Sequence, residues 1–177
     1  LRGGGGEAPP GGTRLRLLRD TSARFNLGTI YRNINYPTLA LHYLDPAMQP
    51  RFAFTLAGRE RISGVETVKV TFEERARPTY IQVEGADRFA SAMLWVAEAD
   101  GAIARTRLEL QIPQRETRMA AEVDYHRDNK FDMWVPTRMS ETYRHSRSSV
   151  LLESIDCVAT YSHFRRFETS GRVILPK

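Results

Sequence analysis

From Arg51 to about Phe167 the apolar residues tend to recur at every second position, and this alternation restricts the fold of the chain more than any other feature. Phe52, Phe54 and Leu56 alternate with Arg51, Ala53 and Thr55, while Val68, Val70 and Phe72 alternate with Thr67, Lys69 and Thr71. A period of two puts alternate side chains on one face of a pleated strand, a setting that β-branched and aromatic residues favour. A turn is expected over Gly58 to Gly64, and Tyr80 to Val83 continues the strands. Met93 to Val96 and Ile103 to Ile112 predict a hairpin across Asp100-Gly101, where glycine accepts the positive φ of a tight turn. The alternation slips between Ile103 and Leu108, as it does at a β-bulge. Met119, Ala121, Val123 and Tyr125 form the next run, and Trp134–Tyr143 and Val158–Phe167 supply the last two strands.

Ahead of the strands the period changes. Leu15, Leu18, Ser22 and Phe25 keep helical spacing after a Thr13 N-cap, and Gly28 follows as a stop, so a helix is expected near 13–27. Pro37 suits a first helical turn, Leu41 and Leu44 share a face and Pro46 closes it, which predicts a second helix near 37–44. Leu1 to Gly12 is rich in Gly and Pro and reads as a flexible leader. The expected fold is therefore α+β and mainly β. It is one domain over residues 13–177, with about eight strands paired in sequence as a single curved antiparallel sheet and two N-terminal helices packed on its concave face.

Composition narrows the function classes. No apolar run approaches the roughly 18 residues of a membrane-crossing helix. Cys157 is the only cysteine, so neither an intramolecular disulfide nor a cysteine-based zinc site is expected, and the thiol reads as a small buried hydrophobe. The net charge of +5 suits acidic partners, yet basic and acidic residues are interspersed, as in Arg59-Glu60-Arg61 and Glu73-Glu74-Arg75. Such mixing reads as solvated strand faces. The start at Leu1, with no apolar signal core after it, reads as a processed or truncated product whose targeting segment lies elsewhere.

Catalytic patterns are not evident. There is no G-x-S-x-G elbow, and His42, His126, His145 and His163 stand in no recognisable catalytic motif. The glycine-rich leader has neither the Lys nor the preceding strand of a phosphate-binding loop. Asp124, His126 and Asp128 alternate along one strand face and carry metal-competent ligands, but a solvent-facing strand end leading into a polar loop is the favoured reading, and neither metal nor cofactor is expected. Tyr143 to Arg147 and His163 to Phe167 interleave basic and aromatic residues as single-stranded nucleic-acid sites do. Amphipathic strands look the same, and no nucleic acid is expected. Met93, Trp95, Trp134, Met139, Tyr143, Tyr161 and Phe164 come from strands of one sheet and are candidates to line an apolar cavity; ordinary core packing is the alternative.

Three segments, in order, carry a family resemblance: Met93-Leu94-Trp95-Val96-Ala97-Glu98-Ala99-Asp100-Gly101-Ala102-Ile103, Trp134-Val135-Pro136-Thr137-Arg138-Met139, and Ala159-Thr160-Tyr161-Ser162-His163-Phe164-Arg165. Together they resemble the hairpin, the inner strand and the closing strand of the outer-membrane lipoprotein-sorting (LolA-like) superfamily. The resemblance implies a half-barrel with helices over its concave apolar face. It also implies a non-enzymatic periplasmic or extracellular protein that holds a lipid, an acyl chain or a lipidated protein, with an anionic membrane surface as a further partner. The alternative expectation is a protein-interaction or scaffold module with a filled core and no small-molecule ligand.

Overall fold

In the computed structural model, residues 30, 32, 34–83, 86–112, 116–148 and 150–165 are described. The period-two segments become strands, except that the last, expected over Val158–Phe167, lies over Val150–Thr160 instead. Its pairing with the preceding strand ends at Arg138 and Thr160, Tyr161 to Arg165 are not in a strand, and 166–167 lie outside the described residues. Seven of them form one antiparallel sheet in the order β1 (Phe52–Ile62), β2 (Val65–Glu74), β5 (Ala90–Ala97), β6 (Ile103–Ile112), β7 (Thr117–Asp128), β8 (Met133–Arg147) and β9 (Val150–Thr160). β3 (Ile81–Val83) and β4 (Ala86–Arg88) make a separate two-stranded hairpin. The large sheet is open, with β1 and β9 at its edges.

The turns follow local chemistry, with one departure from the sequence pattern. β1 does not stop at Gly58. That residue has φ +115 within the strand, where the register with β2 shifts, so the glycine serves a bulge and β1 runs on to Ile62. Ser63 and Gly64 then turn the chain with φ 49° and 86°, the positive pair that a two-residue hairpin requires. The bulge expected between Ile103 and Leu108 falls at Ala104. Val96 pairs with Ile103 and Trp95 with Arg105, leaving Ala104 as the extra residue.

One face of the sheet carries the core. Cross-strand neighbours run from Phe72 through Ala92, Leu108 and Ala121 to Glu141, and in the next row from Leu110 through Met119 to Tyr143. What covers this face is not the expected pair of helices. The helix near 13–27 lies outside the described residues, and the one near 37–44 contracts to the four residues of α1 (Leu39–His42), followed by turns and a single 3-10 turn at Gln49–Arg51. Thr38 gives α1 no side-chain cap, and Asp45-Pro46 ends the segment in turns. The residues that go inward are Leu39, Ala40 and Tyr43, rather than Leu41 and Leu44, which are half-buried. Among the described residues the cover is a mostly irregular segment, with Ile30, Ile34, Leu39 and Tyr43 packed into the sheet's core and α1 lying over β6.

Tyr43 is fully buried, its ring centroid 5.0 Å from Phe52, 5.7 Å from Phe72 and 5.3 Å from Tyr80. The edge-on contacts to Phe72 and Tyr80 are the favoured aromatic geometry. Truncating so large a buried ring loses its transfer energy and leaves a cavity. Tyr43→Ala is expected to cost about 4 kcal/mol, whereas Leu56→Ala, at a side chain 71% exposed, is expected to stay within about 0.5 kcal/mol. Urea unfolding of the two variants checks both values.

Candidate functional site

The seven candidate cavity residues do not share one surface. Met139 and Tyr143 point into the covered face and are almost wholly buried there. Trp134 and Tyr161 pack against the margin of the same core, and the Tyr161 hydroxyl lies 3.6 Å from the Met139 sulfur. Phe164 is half-buried and does not belong to that core. Met93 and Trp95 fall on the opposite face. They alternate along β5 with Ala92 and Leu94, which point into the core, and they pair with Arg107 and Arg105 on β6.

Trp95 is buried all the same, by charged neighbours. The Arg105 guanidinium stands 5.7 Å from its ring centroid, and the indole N–H donates to Glu60 Oε2 at 2.9 Å. That hydrogen bond, with Lys69 adding to it, holds the Glu60 carboxyl below its ordinary range. Ion pairs continue across the face. Arg105 donates to Asp124 at 2.6 Å, Arg107 to Glu109 at 2.7 Å, and Arg144 to both oxygens of Asp156 at 2.8 and 2.9 Å. The arginine stems cover apolar surface while their heads are neutralised in pairs.

Each member of the Asp124, His126 and Asp128 trio has other work or none. Asp124 pairs with Arg105, Asp128 accepts the N–H groups of Lys130 and Phe131 at 2.8 and 3.2 Å, and His126 is exposed. Among the described residues no group of three His, Cys, Asp or Glu side chains is placed to hold a metal ion. In the Tyr143 to Arg147 stretch, the Tyr143 ring is sealed in the core and Arg144 is paired with Asp156, so neither is offered to a nucleic-acid strand.

The covered face carries polar residues that the sequence pattern had not singled out. Glu141 sits between Met139 and Tyr143 at the same parity, so it points into the core. Its two oxygens accept from Arg32 Nη2 at 2.7 Å and Nε at 3.3 Å, and the Tyr143 hydroxyl donates to it at 2.6 Å. Burial works against the Arg32 charge, but the hydrogen bond and charge of Glu141 outweigh it and raise the guanidinium pKa. Cys157 lies opposite Glu141 on β9. Burial pushes its thiol up, Arg32 pulls against that, and Glu141 and Asp156 add to the rise, so at neutral pH it remains a thiol. A second knot joins Arg51 to Glu74 at 3.2 Å, with the Tyr80 N–H donating to Glu74 at 2.8 Å. Tyr125 ties the sheet to the covering segment through a hydrogen bond to the Pro37 carbonyl. The parity of Glu141 is readable in the sequence; its pairing with a residue 109 positions earlier is not.

Among the described residues, a groove of about 550 Å³ lies at the end of β6 to β9, lined by Ile112, Thr117, Arg118, Arg144 and Leu151 among others. Another, about 420 Å³, lies along α1 beside Leu41, His42 and Leu44. The first of these borders the core at Ile112. Comparison with known proteins finds no family model, no curated protein and no solved structure that this chain matches.

Two expectations follow from the buried polar groups. Replacing Glu141 by Gln removes the carboxylate that pairs with Arg32, so a cycle of Arg32→Gln, Glu141→Gln and the double variant is expected to show a coupling of about 2 kcal/mol by urea unfolding. Burial raises the phenol pKa of Tyr36, Tyr43 and Tyr143, and that of Tyr125 to about 12. Unfolded tyrosines ionise near pH 10, so above that pH the unfolded chain binds fewer protons than the native one and stability falls as pH rises. The melting temperature is expected to drop from about pH 10 upward, measured by thermal scans between pH 8 and 11.5.

Proposed function

We propose that this domain is a non-enzymatic interaction module, a half-barrel whose interior is filled by its own chain. The observation that carries the reading is the covered face itself. Met139 and Tyr143, the two cavity candidates at its centre, are buried in one core with the segment that bears Tyr43, and the Tyr143 hydroxyl is joined through Glu141 to Arg32. A face packed in this way offers binding at its edges and outer surface.

The charge distribution supports the same reading. Residues 30–165 contain eighteen basic and eighteen acidic side chains, so the +5 of the whole chain belongs to the segments on either side. A neutral, ion-paired body lacks the basic stripe that a nucleic-acid surface needs.

A second reading, a lipid or lipidated partner held on the inner face of an extracytoplasmic protein, is favoured by one observation. On β1 the cover reaches Phe52 through Tyr43 but leaves Phe54 41% exposed and Leu56 more so, beside half-buried Val68 and Val70. This strip faces the same way as the core, and the likeness of three strand segments to the lipoprotein-sorting superfamily points in that direction too. An acyl chain laid on it would gain roughly 25 cal/mol per Å² of apolar surface removed from water.

Native mass spectrometry with lipid extraction of the same sample separates the two. The filled module is expected to fly at its chain mass, with no adduct after addition of a fatty acid or lysophospholipid. An adduct of acyl-chain mass, lost on substituting Leu56→Asp, would replace the first reading with the second.

A further inference from the structure

We infer that the β9 edge is a docking strand for a second copy of this chain, pairing antiparallel with its own counterpart across a two-fold axis. The inference rests on the interaction-module reading and names its partner.

Four of the large apolar side chains that stand exposed in this protein lie on this one strand: Val150, Leu151, Leu152 and Val158, each more than half exposed. An edge strand presents a row of unpaired backbone N–H and C=O groups, and proteins that stay monomeric usually blunt such edges with proline, lysine, bulges or exposed charge. β1, the opposite edge, shows such features, with its bulge at Gly58 and the run Arg59-Glu60-Arg61. β9 has no proline, lysine or arginine. Its two carboxylates are engaged within the chain, Asp156 with Arg144 and Thr142, and Glu153 with a partner of its own. The strand's one irregularity is the extra residue Leu152, where the register with β8 shifts, and the ladder from Glu153 to Thr160 is regular. About an axis at Ile155 the regular part of this ladder spans the five residues Glu153 to Cys157, roughly 17 Å at about 3.4 Å per residue.

The occupant follows from the strand's own order. A two-fold through Ile155 sets Ile155 against Ile155, Ser154 against Asp156, Glu153 against Cys157 and Leu152 against Val158. At each end the exposed Leu152 thereby meets the exposed Val158, while beyond it Leu151 meets Ala159 and Val150 meets Thr160; a serine hydroxyl meets a carboxylate, and no like charges stand opposite, as stable cross-strand pairs require. Moving the axis to Asp156 would oppose two carboxylates. Moving it to Ser154 would set Leu152 against Asp156. The body of the protein, with equal numbers of acidic and basic residues, adds no net repulsion between copies. The faces are preserved by this axis, so the two covered faces lie on the same side of a continuous fourteen-stranded sheet, twice the seven of one copy. Strand pairing alone falls short of the ~800 Å² per partner of a standard stable interface, so the dimer is expected to dissociate on dilution.

Sedimentation equilibrium of the full chain from 1 to 500 µM tests this. The expected result is a mass that rises with concentration from 20.2 kDa toward twice that value, and a Val158→Lys variant that stays monomeric with an unchanged melting temperature. Register is read by Glu153→Cys, which should form an intermolecular disulfide with Cys157 of the second copy on mild oxidation, while the wild type forms no Cys157–Cys157 dimer at the same rate. A wild type that remains monomeric throughout would overturn the proposal and leave the edge to a strand from a different protein, without touching the filled-module reading. A dimer indifferent to Val158→Lys, or one linked through Cys157 to Cys157, would also overturn it. An acyl-chain adduct in native mass spectrometry would instead remove the reading beneath it.

Discussion

Packing of the Tyr43 ring against Phe52, Phe72 and Tyr80 is the contact on which the rest of this structure depends. A seven-stranded open sheet has two faces to protect from water, and a four-residue helix cannot cover one of them by itself. The irregular segment before β1 does so because it carries a few large side chains at the right places, and Tyr43 is the one that reaches deepest. Irregular backbone is costly to bury unless its polar groups are satisfied. Here the Tyr125 hydroxyl takes the Pro37 carbonyl, and Arg32 places a charge-assisted fork on Glu141. A buried ion pair contributes little net stability, because desolvation offsets its attraction, but it penalises any other seating of the segment.

The two faces meet water in different ways. The inner face excludes it with aromatic and aliphatic rows. The outer face keeps Trp95 dry beneath Arg105 and Glu60, and ladders of arginine and carboxylate run across it from β5 to β9. Exposed pairs of this sort are individually worth little. Their collective effect is to leave a neutral surface, which is why the positive charge of the chain finds no focus on the sheet. Edge β9 carries four of the apolar side chains that remain in water among the described residues.

The strands were readable because period-two alternation is local: β2, β5, β7 and the bulge near Ala104 all follow from side-chain order. Trp95 shows the limit of pooling strands without their parity. It belongs to the same strand as Leu94 but to the other face, and adjacency in sequence already placed it there. Gly58 was ambiguous, since a glycine inside a strand pattern marks either a bulge or a turn. The hairpin at Arg147–Val150 was hidden because Val150-Leu151-Leu152 is a continuous apolar run without alternation. The cover was the least legible part. Helical spacing at Leu41 and Leu44 suggested one face, whereas the sheet selected Leu39 and Tyr43, a tertiary preference that overrides local propensity. The Arg32–Glu141 pair spans 109 positions and leaves no local signature.

Whether the cover is core or lid is the central matter, and native-state hydrogen exchange of Leu39, Leu41 and Leu44 addresses it most directly. Their amides donate within the segment, to Tyr36, Thr38 and Leu41 respectively. If the segment is part of the filled interior, these amides exchange only through openings close in free energy to global unfolding, alongside those of β6 and β7. Exchange many orders of magnitude faster than in β6 and β7, with the sheet still intact, would show that the segment lifts on its own and would contradict the account.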